Sequence, residues 1–472
     1  MDILTQINEA KEVFHYFSEI AKIPHGSGKT DKIADYLVGF ANERGLYVRR
    51  DGANNVIIKK GATAGYEDRP GVIIQGHTDM VLAKTGDCLK DLSTEGLDLY
   101  VDGDFLKARG TTLGGDDGVA VAYALALLAS NDIPHPAIEA IFTSDEEIGL
   151  LGAVALDPYD VDARIMINVD SDSEGVFTVG CAGGMRIDLT LPMNKKNAAQ
   201  KVARVSVNGL LGGHSGVEIK KGRHNAIKIL AEIISKVGKP VSVGALKGGN
   251  ADNAIPRFAE CLVPVDVANE VKALIPEICD KYVSFEPNIS ISVDESDDAT
   301  LFDEATSEKI ISLINSEPNG VIKMSDDIPT LVETSLNLGI LATDGEDVRL
   351  SFSVRSAKGE EKTKLATRVT KIAEEHGAKY DMHGEYPAWE YRRDSRLRDV
   401  MCDVYKRMYG EDAKVVIIHA GLECGIFSGK LEGLDCVSLG PDNYDIHTTE
   451  ERLSISSTVR VWNYLLEVLK NI

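Results

Sequence analysis

Three short apolar runs, each closing on a histidine or a carboxylate, constrain this chain more than any other feature. Val72-Ile73-Ile74 leads into Gly76-His77-Thr78-Asp79. Residues 138–142 lead into Thr143-Ser144-Asp145-Glu146-Glu147, and Ile165-Met166-Ile167 into Asn168-Val169-Asp170. Runs this short and this largely apolar read as strands buried on both faces. Helical spacing separates them: Val13, Phe14, Phe17 and Ile20 in 8–21, then Ile33, Leu37, Phe40 and Ala41 in 30–44, and a small-residue helix over 119–129. Buried strands alternating with helices predict an α/β layer with a mainly parallel central sheet. In such sheets the carboxyl ends of the strands face the ligand.

With 51 Lys+Arg against 74 Asp+Glu, the 472-residue chain carries a formal net charge of −23. An anionic excess of this size repels phosphate backbones and acidic lipid, so neither nucleic acid nor a membrane is expected as a partner. The seven cysteines are scattered, with no C-x-x-C pair, which argues against a disulfide framework and against a thiolate zinc site. The opening MDILTQINEAKEVFHYF lacks a basic stretch followed by an apolar one, and no run of about 18 apolar residues occurs. A cytoplasmic protein is the expectation.

The pattern changes after residue 185. A strand with Val202, Val205 and Val207 precedes a helix carrying Ala226, Ile229, Leu230, Ile233, Ile234 and Val237, and an alternating segment spans 259–267. A second set pairs a strand over 348–354 with a helix carrying Leu365, Val369 and Ile372. These sets predict two open-faced α/β sandwiches or one doubled sandwich. Past 385 the first pattern returns, with buried strands at 415–418 and 436–439 and a helix over 454–470. The expected organisation is a catalytic domain in two pieces, 1–185 and 385–472, with a lid domain over 186–384 inserted between them.

The motifs carry the chemistry. His77 is a nitrogen donor suited to zinc, and Asp79 could hold its other ring nitrogen, although H-x-D alone also fits a histidine in a turn. Thr111-Thr112-Leu113-Gly114-Gly115-Asp116-Asp117-Gly118 opens a helix. Capping explains one aspartate there, but not the Gly-Gly and two carboxylates together. Of Glu146 and Glu147, one can bind a metal and the other act as general base; the residues themselves do not choose, nor do they choose between Asp116 and Asp117. Asp445-Ile446-His447 adds a late histidine. A mixed N/O donor set with a shared carboxylate suits two metal ions.

In this order GHTDMV, TTLGGDDGVA, TSDEEIGLLGA, NVDSD, GGHSG and DIH resemble the M20 di-zinc metallopeptidases. Segments 180–184 (GCAGG), 385–389 (EYPAW) and 419–427 (HAGLECGIF) point to the aminoacyl-histidine dipeptidase branch. The likeness runs over nearly the whole chain. It implies a zinc-peptidase catalytic domain with an inserted lid, and two Zn2+ per subunit, with Mn2+ or Co2+ as substitutes. It implies His77 and Asp170 on one ion, Glu147 and His447 on the other, and Asp116 on both. Asp79 would orient His77, Glu146 would be the general base, and His214 would steady the oxyanion. Asn253 and Arg355 would hold the substrate carboxylate, and Gly421, His419 and Glu423 would line the substrate site; Arg257 is read as a surface residue.

The implied activity is hydrolysis of dipeptides, β-alanyl-histidine included, by a metal-bridging hydroxide. Small peptides would be the partners of a monomer or homodimer, with His214 acting within its chain or across a dimer. The alternatives are a tripeptidase or N-acyl amino acid deacylase of the same type, or a non-catalytic metal-binding protein. Gly26-Ser27-Gly28-Lys29-Thr30 imitates the end of a phosphate loop, but Ile23 stands where that pattern needs glycine. Ser27 or Thr30 is expected instead as an N-cap.

Overall fold

The computed structural model describes residues 7–198, 201–298, 300–326 and 328–472; the first six residues of the opening segment lie outside them. The chain divides into two compact units. One holds the chain up to Cys181, Tyr391–Ile417 and Leu422–Ile472; the other holds Ala182–Glu390 and Ile418–Gly421.

An eight-stranded sheet organises the first unit, in the order Tyr47–Arg50, Val56–Lys60, Ile138–Thr143, Val72–His77, Ile165–Asn168, Asp435–Ser438, Val176–Cys181, Lys414–Ile418. Its four middle strands are parallel, the arrangement expected of the apolar runs, while the flanking pairs on the Tyr47–Lys60 side and the Asp435–Ser438/Val176–Cys181 pair are antiparallel. Val72–His77 and Ile138–Thr143 are buried along their whole length. Lys414–Ile418 lies at the sheet edge and leaves Val415 40% exposed, so this apolar run is half solvated rather than enclosed.

Helices Lys11–Ile20, Asp31–Glu43, Gly115–Ala129, Arg396–Tyr409 and Ile455–Asn471 share one core with this sheet. Gly115–Ala129 is buried on nearly every side, which explains its small residues. Its first turn is not helical at Asp116 and Asp117, which are joined by a cis peptide.

In the second unit, nine strands form one sheet, with antiparallel pairing throughout its strand registers. Helices Ala226–Lys236, Val265–Tyr282, Glu304–Ser316 and Gly359–Glu375 pack into a single core with it. Of the two architectures the periodicity allows, this is the doubled sandwich. Asn225 caps the Ala226–Lys236 helix by accepting from the N–H groups of Ile227 and Lys228. Among the described residues no helix is long and apolar enough to cross a membrane.

Candidate metal centre and carboxylate-binding cluster

Parallel strands end in register, so the residues just beyond them converge. His77 closes its strand, with Glu146 and Glu147 following the neighbour on one side and Asp170 the neighbour on the other. His77 Nε2 lies 3.0 Å from Asp116 Oδ1 and 3.8 Å from Asp170 Oδ1. The other oxygen of Asp116 lies 3.1 Å from His447 Nε2, which is itself 2.8 Å from Glu147 Oε1. Donor atoms of His77, Asp116 and Asp170 fall within 4.8 Å of one another, as do those of Asp116, Glu147 and His447; His77, Glu146 and Glu147 form a third such group. Asp116 belongs to two of these groups and Asp117 to none.

The donor set fits divalent metal. Glu147 Oε1 is buried and makes no geometrically sound hydrogen bond despite its approach to His447. Carboxylates outnumber the imidazoles that face them, and the charges are frustrated accordingly. Burial and then Asp117 push Asp170 well above the usual carboxylate range. Burial also lifts Glu146 to about 8. For Asp116, hydrogen bonds from His447 and His77 overcome burial and hold it low. The same bonds raise His447 to about 10 and, against its own burial, raise His77. Cations between these groups would relieve the repulsion.

Asp79 orients more than His77. His77 Nδ1 lies 2.9 Å from the Asp79 carbonyl and 3.4 Å from its carboxylate. That carboxylate accepts from the N–H groups of Glu146 and Glu147, at 2.9 and 3.3 Å, and from Ser27 Oγ at 2.7 Å. Ser27 therefore serves the site instead of capping a helix. Thr30 occupies the N-cap position of Asp31–Glu43 without a side-chain cap bond. Asp117 Oδ2 accepts from the His77 N–H at 3.1 Å.

Two further carboxylates of this unit support the cluster, and of these the sequence reading names only Glu423. Glu451 is buried and accepts four backbone N–H groups: Leu113 at 2.8 Å, Gly114 at 3.0 Å, Gly115 at 2.8 Å and Asp116 at 3.3 Å. Gly114, at φ 68°, supplies the left-handed turn that lets them converge. Glu423, expected at the substrate site, is fully buried against the Val72–His77 and Ile138–Thr143 strands. It accepts from Gln75 Nε2 and Thr143 Oγ1, both at 2.6 Å, and Gln75 accepts in turn from Asn168 at 2.6 Å. A polar Gln75 inside an apolar run was the one available signal; what pairs with Glu451 was not legible.

The second unit gathers the other predicted residues. His214 lies on the short Gly213–His214 strand, paired with Ala254–Ile255. Its Nδ1 accepts from the Gly216 N–H at 3.2 Å, which leaves Nε2 to carry the proton, and partial desolvation and then the Arg355 charge lower its pKa. The Asn253 carbonyl accepts from Ser215 N–H, and Asn337 clamps the turn by donating to the carbonyls of Asp252 and Ala254. Arg355 is 8% exposed, and its Nε has no hydrogen-bond partner. Among the described residues no carboxylate reaches its guanidinium within salt-bridge distance. His419 Nε2 lies 2.7 Å from Ser335 Oγ, and burial followed by the Arg355 charge lowers this imidazole to about 3. Gly421 packs against Tyr386. Arg257 donates from Nε to the Leu210 carbonyl at 3.1 Å.

Residues 73–471 match the model of peptidase family M20/M25/M40. A cytosol non-specific dipeptidase of Escherichia coli (strain K12) is 35% identical, over 100% of this chain and 99% of its own. The aminoacylhistidine dipeptidase of Vibrio alginolyticus is 33% identical and superposes with a TM-score of 0.90, over 99% of this chain and 98% of that one. A tripeptidase of Staphylococcus aureus, 20% identical with a TM-score of 0.58 over 98% of each chain, shares the fold. The extent of the family match and the full-length identity to a curated relative lead to one conclusion: this chain belongs to peptidase family M20/M25/M40.

Proposed function

We propose that this protein is a cytoplasmic metallo-dipeptidase that hydrolyses small peptides, Xaa-His dipeptides such as β-alanyl-histidine among them. The observation that carries the reading is Asp116, whose two oxygens face two different imidazoles inside a carboxylate-rich cluster. Two divalent ions, zinc with manganese or cobalt as substitutes, would be held by His77 and Asp170, by Glu147 and His447, and by Asp116 in common. Bound there, they supply Lewis-acid polarisation of the scissile carbonyl and acidify water.

The protein's own groups do the rest. Glu146, its N–H fixed by Asp79, takes a proton from the attacking water at its carboxylate and returns it to the leaving amine. Asp79 keeps His77 and the Glu146–Glu147 turn in register. His214 offers a neutral Nε2–H to the developing oxyanion. Arg355, a buried guanidinium with no carboxylate partner among the described residues, binds the substrate's terminal carboxylate, together with Asn253 in the turn that Asn337 clamps. We propose that Ala182–Glu390, the bulk of the second unit, serves as the inserted lid of a catalytic domain built from the flanking segments.

The test is hydrolysis of β-alanyl-histidine, ordinary dipeptides, tripeptides and N-acyl amino acids by metal-stripped protein, before and after zinc is restored. Zinc-dependent cleavage of dipeptides is expected. Two bound metals without dipeptide cleavage would overturn the reading and favour the deacylase.

A further inference from the structure

Three sequence segments that mark the dipeptidase branch, GCAGG, EYPAW and HAGLECGIF, have no part in the metal centre's first set of donors. In the second unit they meet at one side chain. Tyr386 ends the Lys379–Tyr386 strand, and its register partner on Gly183–Pro192 is Gly184. Gly184 is in turn the partner of Arg355 on Asp347–Ser356. Tyr386 and Arg355 thus sit on either side of a strand that carries no side chain at that level.

The phenol ring uses that gap. A Cβ on Gly184 would come within 2.4–2.5 Å of the Tyr386 Cζ, Oη and Cε1 atoms. A Cβ on Gly421 would come within 2.8 Å of Tyr386 Cε2. The ring therefore lies across Gly184, is covered by Gly421, and brings its hydroxyl 3.2 Å from Arg355 Nη1, which donates to it. Behind the ring, Lys362 is 3% exposed and donates from Nζ to the Tyr386 carbonyl at 2.7 Å. The same ammonium pairs with Glu385 Oε1 at 3.0 Å, and the two contacts together fix where the strand ends, and with it where the ring begins.

We propose that Tyr386 is the positioning residue for Arg355: seated between Gly184 and Gly421 and held from behind by Lys362, it aims the guanidinium for a bidentate grip on a substrate's terminal carboxylate. The proposal rests on the reading of Arg355 as the carboxylate anchor. A long, flexible side chain gains binding strength when its fork is held in place before the ligand arrives, because less rotamer freedom is then lost on binding. The two glycines are part of the device, since any side chain at 184 or 421 would displace the ring.

Tyr386→Phe tests it, with Gly184→Ala as an independent route to the same loss and Arg355→Met as the control. Hydrolysis of a dipeptide and of its C-terminal amide is measured on zinc-loaded protein, together with binding of both by equilibrium dialysis on metal-stripped protein. Tyr386→Phe is expected to raise KM and Kd for the dipeptide about tenfold, to leave kcat within about twofold, and to leave the amide unaffected. Gly184→Ala should repeat that split, with circular dichroism showing an intact fold. Parent protein that does not distinguish acid from amide, or Arg355→Met without effect, would overturn the carboxylate reading and this proposal with it. Arg355→Met weakening the acid while Tyr386→Phe does not would overturn the positioning role alone.

Discussion

Replacing Glu451 by glutamine separates what its charge does from what its shape does. Each carboxylate oxygen accepts two of the four N–H groups of Leu113, Gly114, Gly115 and Asp116. The amide fills the same space but turns one acceptor into a donor, so two buried N–H groups would face an NH2. At about 1–3 kcal/mol for each buried donor left unsatisfied, the substitution costs about 4 kcal/mol. For a unit of this size that lowers the melting temperature by about 8 °C, at about 2 °C per kcal/mol.

Because the Asp116 N–H is one of the four, the turn presenting Asp116 loosens too, and zinc affinity should fall about tenfold or more, as for other groups that orient a ligand. Calorimetry of metal-stripped Glu451→Gln, zinc titration of the same sample, and exposed Glu450→Gln as control provide the measurement. If Glu451→Gln melts with the parent and binds zinc equally, the four bonds do not hold the turn that presents Asp116.

Glu146→Ala should lower kcat by about 100-fold or more with zinc content unchanged, since general-base catalysis contributes on that scale; normal activity would remove Glu146 from the mechanism. Gly76→Ala would place a methyl 2.4 Å from Ala120 Cβ and 2.5 Å from Asp117 Oδ2, so a loss of about 2 kcal/mol and of bound metal is expected on denaturation and elemental analysis. His419 titrates near 3 when folded against an ordinary value of 6.5, so its contribution is complete above pH 6.5 and is lost as pH falls toward 3. His419→Asn should therefore flatten stability against pH below 6.5 by up to about 1.4 kcal/mol per pH unit, and an unaltered slope would show that the folded protein tolerates the imidazolium.

The alternation of short apolar runs with helical spacing settles the α/β layer, because a strand buried on both faces is apolar at most of its positions. The same logic put His77, Glu146, Glu147 and Asp170 at strand ends before any coordinates were needed. The late segments were less legible. The 415–418 run is as apolar as the others yet lies at an edge, since sheet order depends on pairings that composition does not encode. Local patterns likewise suggested a cap for Ser27, whereas the fold spends it on Asp79, 52 residues away.

What the sequence by itself determined is the kind of chemistry: which candidate donors exist, and on which strand ends. Only tertiary structure decided between neighbours and found their supports. Asp116 rather than Asp117 faces both imidazoles because the turn that Glu451 holds points it there, and Glu451 lies 335 residues further on. Tyr386 reaches Arg355 because two strands place a glycine between them. Hydrophobic periodicity is a local property and survives in one dimension; the direction of a buried polar side chain is fixed by partners the chain supplies from far away.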